Sequence, residues 1–136
     1  MEQKDFLVRQ LEMIGPTIMY MLGIWKDGRI SDAIDYGAEH IEGLTSIPLR
    51  ELDMIHQDKI VEHLAKIKEI SPGIIRITAE FLYRIGEIRH LEGHPNGRET
   101  LLKAQNLLVW HEEFTGIFSF DVQSMKNSII QMLTGN

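Results

Sequence analysis

Two acid-x-x-His spacings stand out along the chain, Asp53-Met54-Ile55-His56 and Glu87-Ile88-Arg89-His90. Residues three apart share a helix face, so each pair could offer a carboxylate and an imidazole to one metal ion, as iron and zinc sites require. A di-iron bundle needs two Glu-x-x-His pairs joined by two further glutamates. Here one of the pairs carries aspartate, and Ile88 belongs on the core side of a helix whose Glu87 faces out. The expectation is therefore surface histidines and no metal centre, with a helical-bundle metal-binding protein or enzyme using His56, His90 and nearby carboxylates as the alternative. His90-Leu91-Glu92-Gly93-His94 spaces two histidines one turn apart. Leucine nevertheless stands where a zinc-protease helix has its glutamate, and Gly93 and Pro95 end the helix around His94. No Gly-x-x-x-x-Gly-Lys-[Ser/Thr] loop, Gly-x-Gly-x-x-Gly turn or Gly-x-Ser-x-Gly elbow occurs, and the chain has no cysteine. Nucleotide, acyl-transfer and thiol chemistry thus lose their usual marks, so neither catalytic residues nor a cofactor is expected.

The 136 residues suit one domain spanning 1–136, because two units would each fall near the size at which a core becomes marginal. Hydrophobic residues at 43% and charged residues at 25% place the chain among globular proteins rather than disordered tails. Lys and Arg number 14 against 20 Asp and Glu, a net charge of −6, which is the wrong sign for a nucleic-acid partner. Asp32, Asp35, Glu39 and Glu42 recur at three- and four-residue spacings and form one negative stripe, read as a solvated face or, failing that, a surface for a basic partner. The mixed-charge start Met1-Glu2-Gln3-Lys4-Asp5 lacks the pattern of a secretory signal, and the apolar run Met13 to Trp25 falls short of the roughly 20 residues that cross a bilayer. No membrane association and a cytoplasmic location are expected.

The elements that would position these residues are helices. Leu7, Leu11, Ile14, Ile18, Met21 and Trp25 define one stripe, with Gly15-Pro16 expected to kink the helix without stopping it. Lys26-Asp27-Gly28 supplies a turn, and Ser31 is placed to cap a second helix whose inner face, Ala33, Ile34, Gly37, Ala38 and Ile41, is small enough for close packing. Gly43 and Thr45-Ser46 end it, and Pro48 suits the first turn of the next. Residues 48–70 fit either one bent helix or two short ones interrupted at His56-Gln57-Asp58. Ser71-Pro72 is a clear start signal, followed by Ile74, Ile77, Phe81, Ile85 and Ile88. The next helix carries Leu101, Ala104, Leu108 and His111 inward and breaks at Thr115-Gly116. Ser119 or Asp121 then caps the last, which bears Val122, Met125, Ile129, Met132 and Leu133. Trp25, Trp110, Phe114, Phe118 and Phe120 are assigned to the core or to helix junctions. Were Phe114-Thr115-Gly116-Ile117-Phe118 exposed, it would mark a dimer or partner surface. No segment alternates as a half-buried strand does, so the fold class is all-α, with about six to seven helices joined by short turns.

From Ala79 to Ala104 the chain resembles a tetratricopeptide (TPR) repeat, a helix pair in which small residues let two helices approach closely. Leu82, Ile85 and Gly86 fall at the large-apolar, leucine and glycine positions of the first helix, and Gly93 at the turn glycine. Leu101 and Ala104 take the aromatic and alanine positions of the second helix, with one residue fewer between His94 and Gly97. Asp27-Gly28-Arg29-Ile30-Ser31-Asp32-Ala33-Ile34 echoes the turn and second helix of the same pattern. With Asp5-Phe6-Leu7-Val8-Arg9-Gln10-Leu11-Glu12 and Leu22-Gly23, the layout is similar to an uncharacterised family of small bacterial TPR-like proteins, to which no activity is attached. The resemblance implies antiparallel helix pairs in a short right-handed α-solenoid or bundle. By the same resemblance Glu80, Tyr83, Arg84, Glu87 and His90 line a groove for a peptide. The function expected is a non-enzymatic interaction module that binds a protein or peptide partner or self-associates as a homodimer.

Overall fold

The computed structural model describes the backbone of residues 2–135 and the side chains of residues 14–135. The stripe positions Leu7 and Leu11 and the motif Asp5 to Glu12 lie outside the described side chains. Seven α-helices and one 3-10 turn make up the described residues, with no strand among them, so the chain is all-α. They are α1 (Glu2–Lys26), α2 (Ile30–Thr45), α3 (Leu49–Asp53), the 3-10 turn Gln57–Lys59, α4 (Ile60–Ala65), α5 (Pro72–Leu91), α6 (Gly97–Thr115) and α7 (Phe120–Thr134).

α1 runs unbroken through Gly15-Pro16 and brings Ile14, Ile18, Met21 and Ile24 into the core. Gly28, at φ +83°, turns the chain into α2, since a left-handed backbone costs glycine no clash with a Cβ. α2 begins at Ile30, two residues sooner than a Ser31 cap would start it. Arg29 holds the cap position without a side-chain cap bond, and its carbonyl accepts from the Ala33 amide at 3.0 Å. Starting there places Ile30 within the helix, where it packs on the core. Gly37 is the point of closest approach, because a Cβ on it would lie 2.9 Å from Met21 Cε and 3.3 Å from Ile85 Cδ1. α2 is thereby wedged between α1 and α5. At its end the helix passes through Gly43, and Ser46 takes the left-handed cap. Pro48 is the N-cap of α3 rather than its first residue.

Residues 48–70 are two short helices separated by the 3-10 turn. His56 Nδ1 accepts from the Asp58 amide at 3.2 Å and caps that turn, at the interruption the sequence places at His56-Gln57-Asp58. Ser71 caps α5 by accepting from the Ile74 amide at 3.2 Å, with Pro72 first in the helix. α5 is buried on nearly every side: Ile75, Ile77, Ala79, Phe81, Leu82, Ile85 and Ile88 all sit in the core. α1, α2, α4, α6 and α7 all pack on it.

Gly93, at φ +76°, turns the chain from α5 into α6. A Cβ on Gly86 would meet Leu101 Cδ2 at 2.8 Å, and one on Gly97 would meet the His90 amide nitrogen at 2.6 Å. The contacts step back along one helix as they step forward along the other, so α5 and α6 run antiparallel at glycine-limited separation. Leu101, Ala104, Leu107 and Leu108 fill that interface. Gly116, at φ +69°, ends α6, and Ser119 caps α7 through the Val122 amide at 3.1 Å. α7 packs on α6 and α5 through Val122, Met125 and Ile129. No helix is long and apolar enough to cross a membrane among the described residues.

Candidate functional site

The five groove candidates lie on α5, at spacings that bring neighbours one turn apart into contact. Arg76 Nη1 donates to Glu80 Oε1 at 3.1 Å, and Arg84 Nη1 donates to Glu87 Oε1 at 3.0 Å. The Arg84 guanidinium lies 4.9 Å from the centre of the Tyr83 ring, a cation-π arrangement that holds the arginine against the helix. Tyr83 itself is buried. Opposite, the first two turns of α7 present Asp121, Ser124 and Met125. With Glu80, Tyr83 and Arg84 they line an open cleft of about 260 Å³.

The structure therefore brings three of the five candidates together. Glu87 reaches the cleft only through its ion pair with Arg84. His90 sits further along α5, where its backbone meets Gly97. The α7 wall was missed by sequence reasoning, which assigned Met125 to the core and Asp121 to a cap. The i, i+3, i+4 spacing of Asp121, Ser124 and Met125 marks a common helix face, but nothing local says which helix lies opposite.

The cleft has a polar hinterland. Glu112 of α6 is buried and accepts from Lys126 Nζ at 2.7 Å and from Gln123 Nε2. Burial pushes the His111 imidazole below its ordinary value of 6.5, Arg76 pushes the same way, and Glu112 opposes them. Arg84 Nε is buried without a hydrogen-bond acceptor, so a donor with no protein partner lies beside the cleft. An aromatic ring, a thioether, a hydroxyl and two carboxylates can hold a peptide by contact and hydrogen bonding. No nucleophile and base stand in hydrogen-bonding order there.

A second cleft, of about 430 Å³, lies between α2, α3 and α5. Asp35, Glu39 and Glu42 of the acidic stripe line it together with Arg50, Asp53 and Arg89, while Asp32 pairs with Arg29 at 3.0 Å. Arg89 grips Asp53 in a bidentate pair, Nη1 to Oδ1 at 2.8 Å and Nη2 to Oδ2 at 2.9 Å, and also donates to Thr100 Oγ1 at 2.9 Å. Lys103 Nζ donates to the Leu52 carbonyl at 2.8 Å. Burial lowers the Lys103 ammonium's pKa, against the pull of Asp53 and Glu99. Glu99 accepts from the Gln57 amide at 2.7 Å, and Asn106 donates to the Gln57 carbonyl at 2.9 Å. These bonds fasten the segment 52–57 onto α5 and α6.

The same network decides the histidine motifs. Asp53 of the first acid-x-x-His pair is engaged by Arg89, and His56 is spent on capping. His94 lies beyond the end of α5 and accepts from the Asn96 amide at 3.0 Å, so His90 and His94 are not one helical turn apart. Among the described residues no three His, Asp or Glu side chains converge where they could hold a metal ion.

Of the aromatics assigned to the core or to helix junctions, Phe114, Phe118 and Phe120 lie at the α6–α7 junction and not in the core. All three are exposed, with Ile117, at the α6–α7 connection, whereas Trp25 and Trp110 are half-buried against the core. The α6–α7 pair buries Val122, Met125 and Ile129 from α7 and leaves nothing over the connection to cover these rings. No protein-family model matches the chain, and no curated protein or solved structure matches it.

Proposed function

We propose that this chain is a non-enzymatic, TPR-like interaction module, resident in the cytoplasm, that holds a peptide segment of another protein in the cleft between α5 and α7. The observation that carries the reading is the convergence of Glu80, Tyr83 and Arg84 with Asp121, Ser124 and Met125 across an open cleft. The packing order supports it. α1 pairs with α2, α2 stacks on α5, α5 pairs with α6, and α7 covers α6 and α5, as in successive helix pairs stacked along one axis. The chemistry of the cleft selects a segment bearing Lys or Arg beside an apolar side chain. The basic group meets Asp121 and Glu80, and the apolar one rests on Met125 and Tyr83.

The test is selection of a displayed random peptide library on the full chain, followed by calorimetry with the enriched peptide. Ser124→Arg places a long cation in the cleft from an exposed position, so it should weaken binding at least tenfold while the helical circular dichroism stays unchanged. A selection that enriches no sequence, or a peptide indifferent to Ser124→Arg and Asp121→Asn, overturns the proposal.

A further inference from the structure

Four large apolar side chains crowd one end of the α6–α7 pair. Phe114 is 63% exposed, Ile117 65%, Phe118 75% and Phe120 87%. Phe114 stacks on Trp110 with ring centres 5.1 Å apart, which anchors the patch to the half-buried tryptophan. Scattered apolar residues are ordinary on a surface, but four within seven residues form the contiguous kind of patch that marks an interaction site.

Two further observations say what covers it. The first is charge. The stretch 114–135 contains one acid, Asp121, and one base, Lys126, so it is sparse in charge for a chain in which a quarter of the residues are charged. Lys126 is committed to Glu112 within the same molecule, which leaves Asp121 and the neighbouring exposed Glu113 as the free charges at this end. Along α7 the exposed positions Asn127, Gln131 and Thr134, which lie outside the cleft, are polar but uncharged, and Ile130 is exposed beside them. Repulsion between two copies of so acidic a chain is weakest where charge is sparsest, and depletion of charge is the compositional mark of an interface core. The second is area. At about 200 Å² for a free side chain of this size, the four exposed fractions amount to about 580 Å² per protomer, or about 1,160 Å² over two copies when fully covered. That already clears the roughly 1,000 Å² a specific interface needs, before the uncharged face of α7 adds its share.

We propose that a second copy of this chain occupies the patch, in a two-fold symmetric dimer built on the α6–α7 connection and the outer face of α7. In an isologous contact each Phe118 and Phe120 meets the same residues of the other copy. α7 then serves on one side as the dimer face and on the other as a wall of the α5–α7 cleft. The dimer would carry two such clefts and hold a partner with two copies of the segment more tightly than either cleft alone. The pairing itself does not depend on what the cleft binds.

Sedimentation equilibrium of the full chain over a wide concentration range tests the pairing. The fitted mass is expected to rise towards twice the 15.7 kDa of one chain, and Phe118→Asp is expected to raise the dimer dissociation constant at least tenfold. Phe120→Asp is the second variant. Both side chains are largely exposed, and unchanged helical circular dichroism confirms that each variant folds. A chain that stays monomeric at every concentration overturns the proposal. If that monomer co-sediments with phosphatidylcholine vesicles, the patch is a membrane contact instead. A dimer indifferent to both substitutions overturns it as well, because the pairing face then lies elsewhere.

Discussion

Asp53→Ala tests whether the polar clamp fixes the segment between the two helix pairs. The Arg89 side chain is 7% exposed and that of Asp53 22%. Removing the carboxylate deletes both bonds of the bidentate pair and leaves a buried guanidinium with Thr100 as its only acceptor. Arg89 Nε, which has no acceptor either, adds to the uncompensated donors. Breaking a buried pair from one side costs about 3–5 kcal/mol, and the partial exposure of Asp53 allows some water to screen the loss, so the low end, about 3 kcal/mol, is expected. For a chain of this size that lowers the melting temperature by about 10 °C. Arg89→Met removes the buried cation and leaves a carboxylate that water can reach, at a cost of about 1–2 kcal/mol. The double variant should resemble Arg89→Met alone, so the coupling between the two side chains equals the whole Asp53→Ala loss, about 3 kcal/mol. Urea unfolding followed by helical circular dichroism, with a common slope for all four proteins, measures each quantity. A loss below about 1 kcal/mol for Asp53→Ala, or simple additivity of the two variants, would refute the clamp.

Glycines divide by what surrounds them. Gly97→Ala sets a methyl against the His90 backbone and should cost about 2–3 kcal/mol in urea unfolding, whereas Gly43→Ala, with open space around it inside α2, should gain about 0.5–1 kcal/mol. At Gly86 a Cβ would meet the Leu101 side chain and, at 3.0 Å, its backbone nitrogen, so Gly86→Leu should unfold the domain at ordinary temperatures, read as loss of the cooperative thermal transition. Thr78 is fully buried with no partner for its hydroxyl, and Thr78→Val keeps the shape while removing the orphaned group. It should raise stability by about 1 kcal/mol by the same assay, and a loss of that size would show that the hydroxyl is satisfied. His111 has its pKa lowered in the folded chain by burial first and Arg76 second. The unfolded chain therefore binds a proton more readily as the pH falls below 6.5. Stability contributed by neutral His111 is complete above that value and is lost as the pH drops towards the folded-state value. The imidazole resonances should titrate below 6.5, and His111→Asn should flatten the acid side of the stability profile. A midpoint above 6.5 would contradict the burial argument.

The helices and their ends were legible because their causes are local. Stripe spacing, the Ser71-Pro72 and Ser119 caps and the glycines 28, 93 and 116 act within a few residues of themselves, so each can be read without knowing what lies across the core. Ser31 failed as a cap for a tertiary reason, since drawing Ile30 onto the core started α2 two residues sooner. The groove was half legible. The α5 side follows from spacing and resemblance, but the α7 wall depends on how a distant helix docks, which no residue in α5 encodes.

Charge and aromaticity were the least legible. Arg89 and Lys103 look like surface residues in a sequence, because burying a cation is unfavourable unless a carboxylate or carbonyl waits for it. Only the docking of residues 52–57 supplies Asp53 and the Leu52 carbonyl. Phe114, Phe118 and Phe120 look like core or helix-junction residues, because apolar side chains leave water whenever something covers them. Whether anything does is a property of the assembled chain. The sequence by itself determined an all-α chain, its turns and most of its inner stripes. The tertiary structure decided which charges were paired inside and which rings were left outside, since desolvation and pairing are settled only when segments far apart along the chain come together.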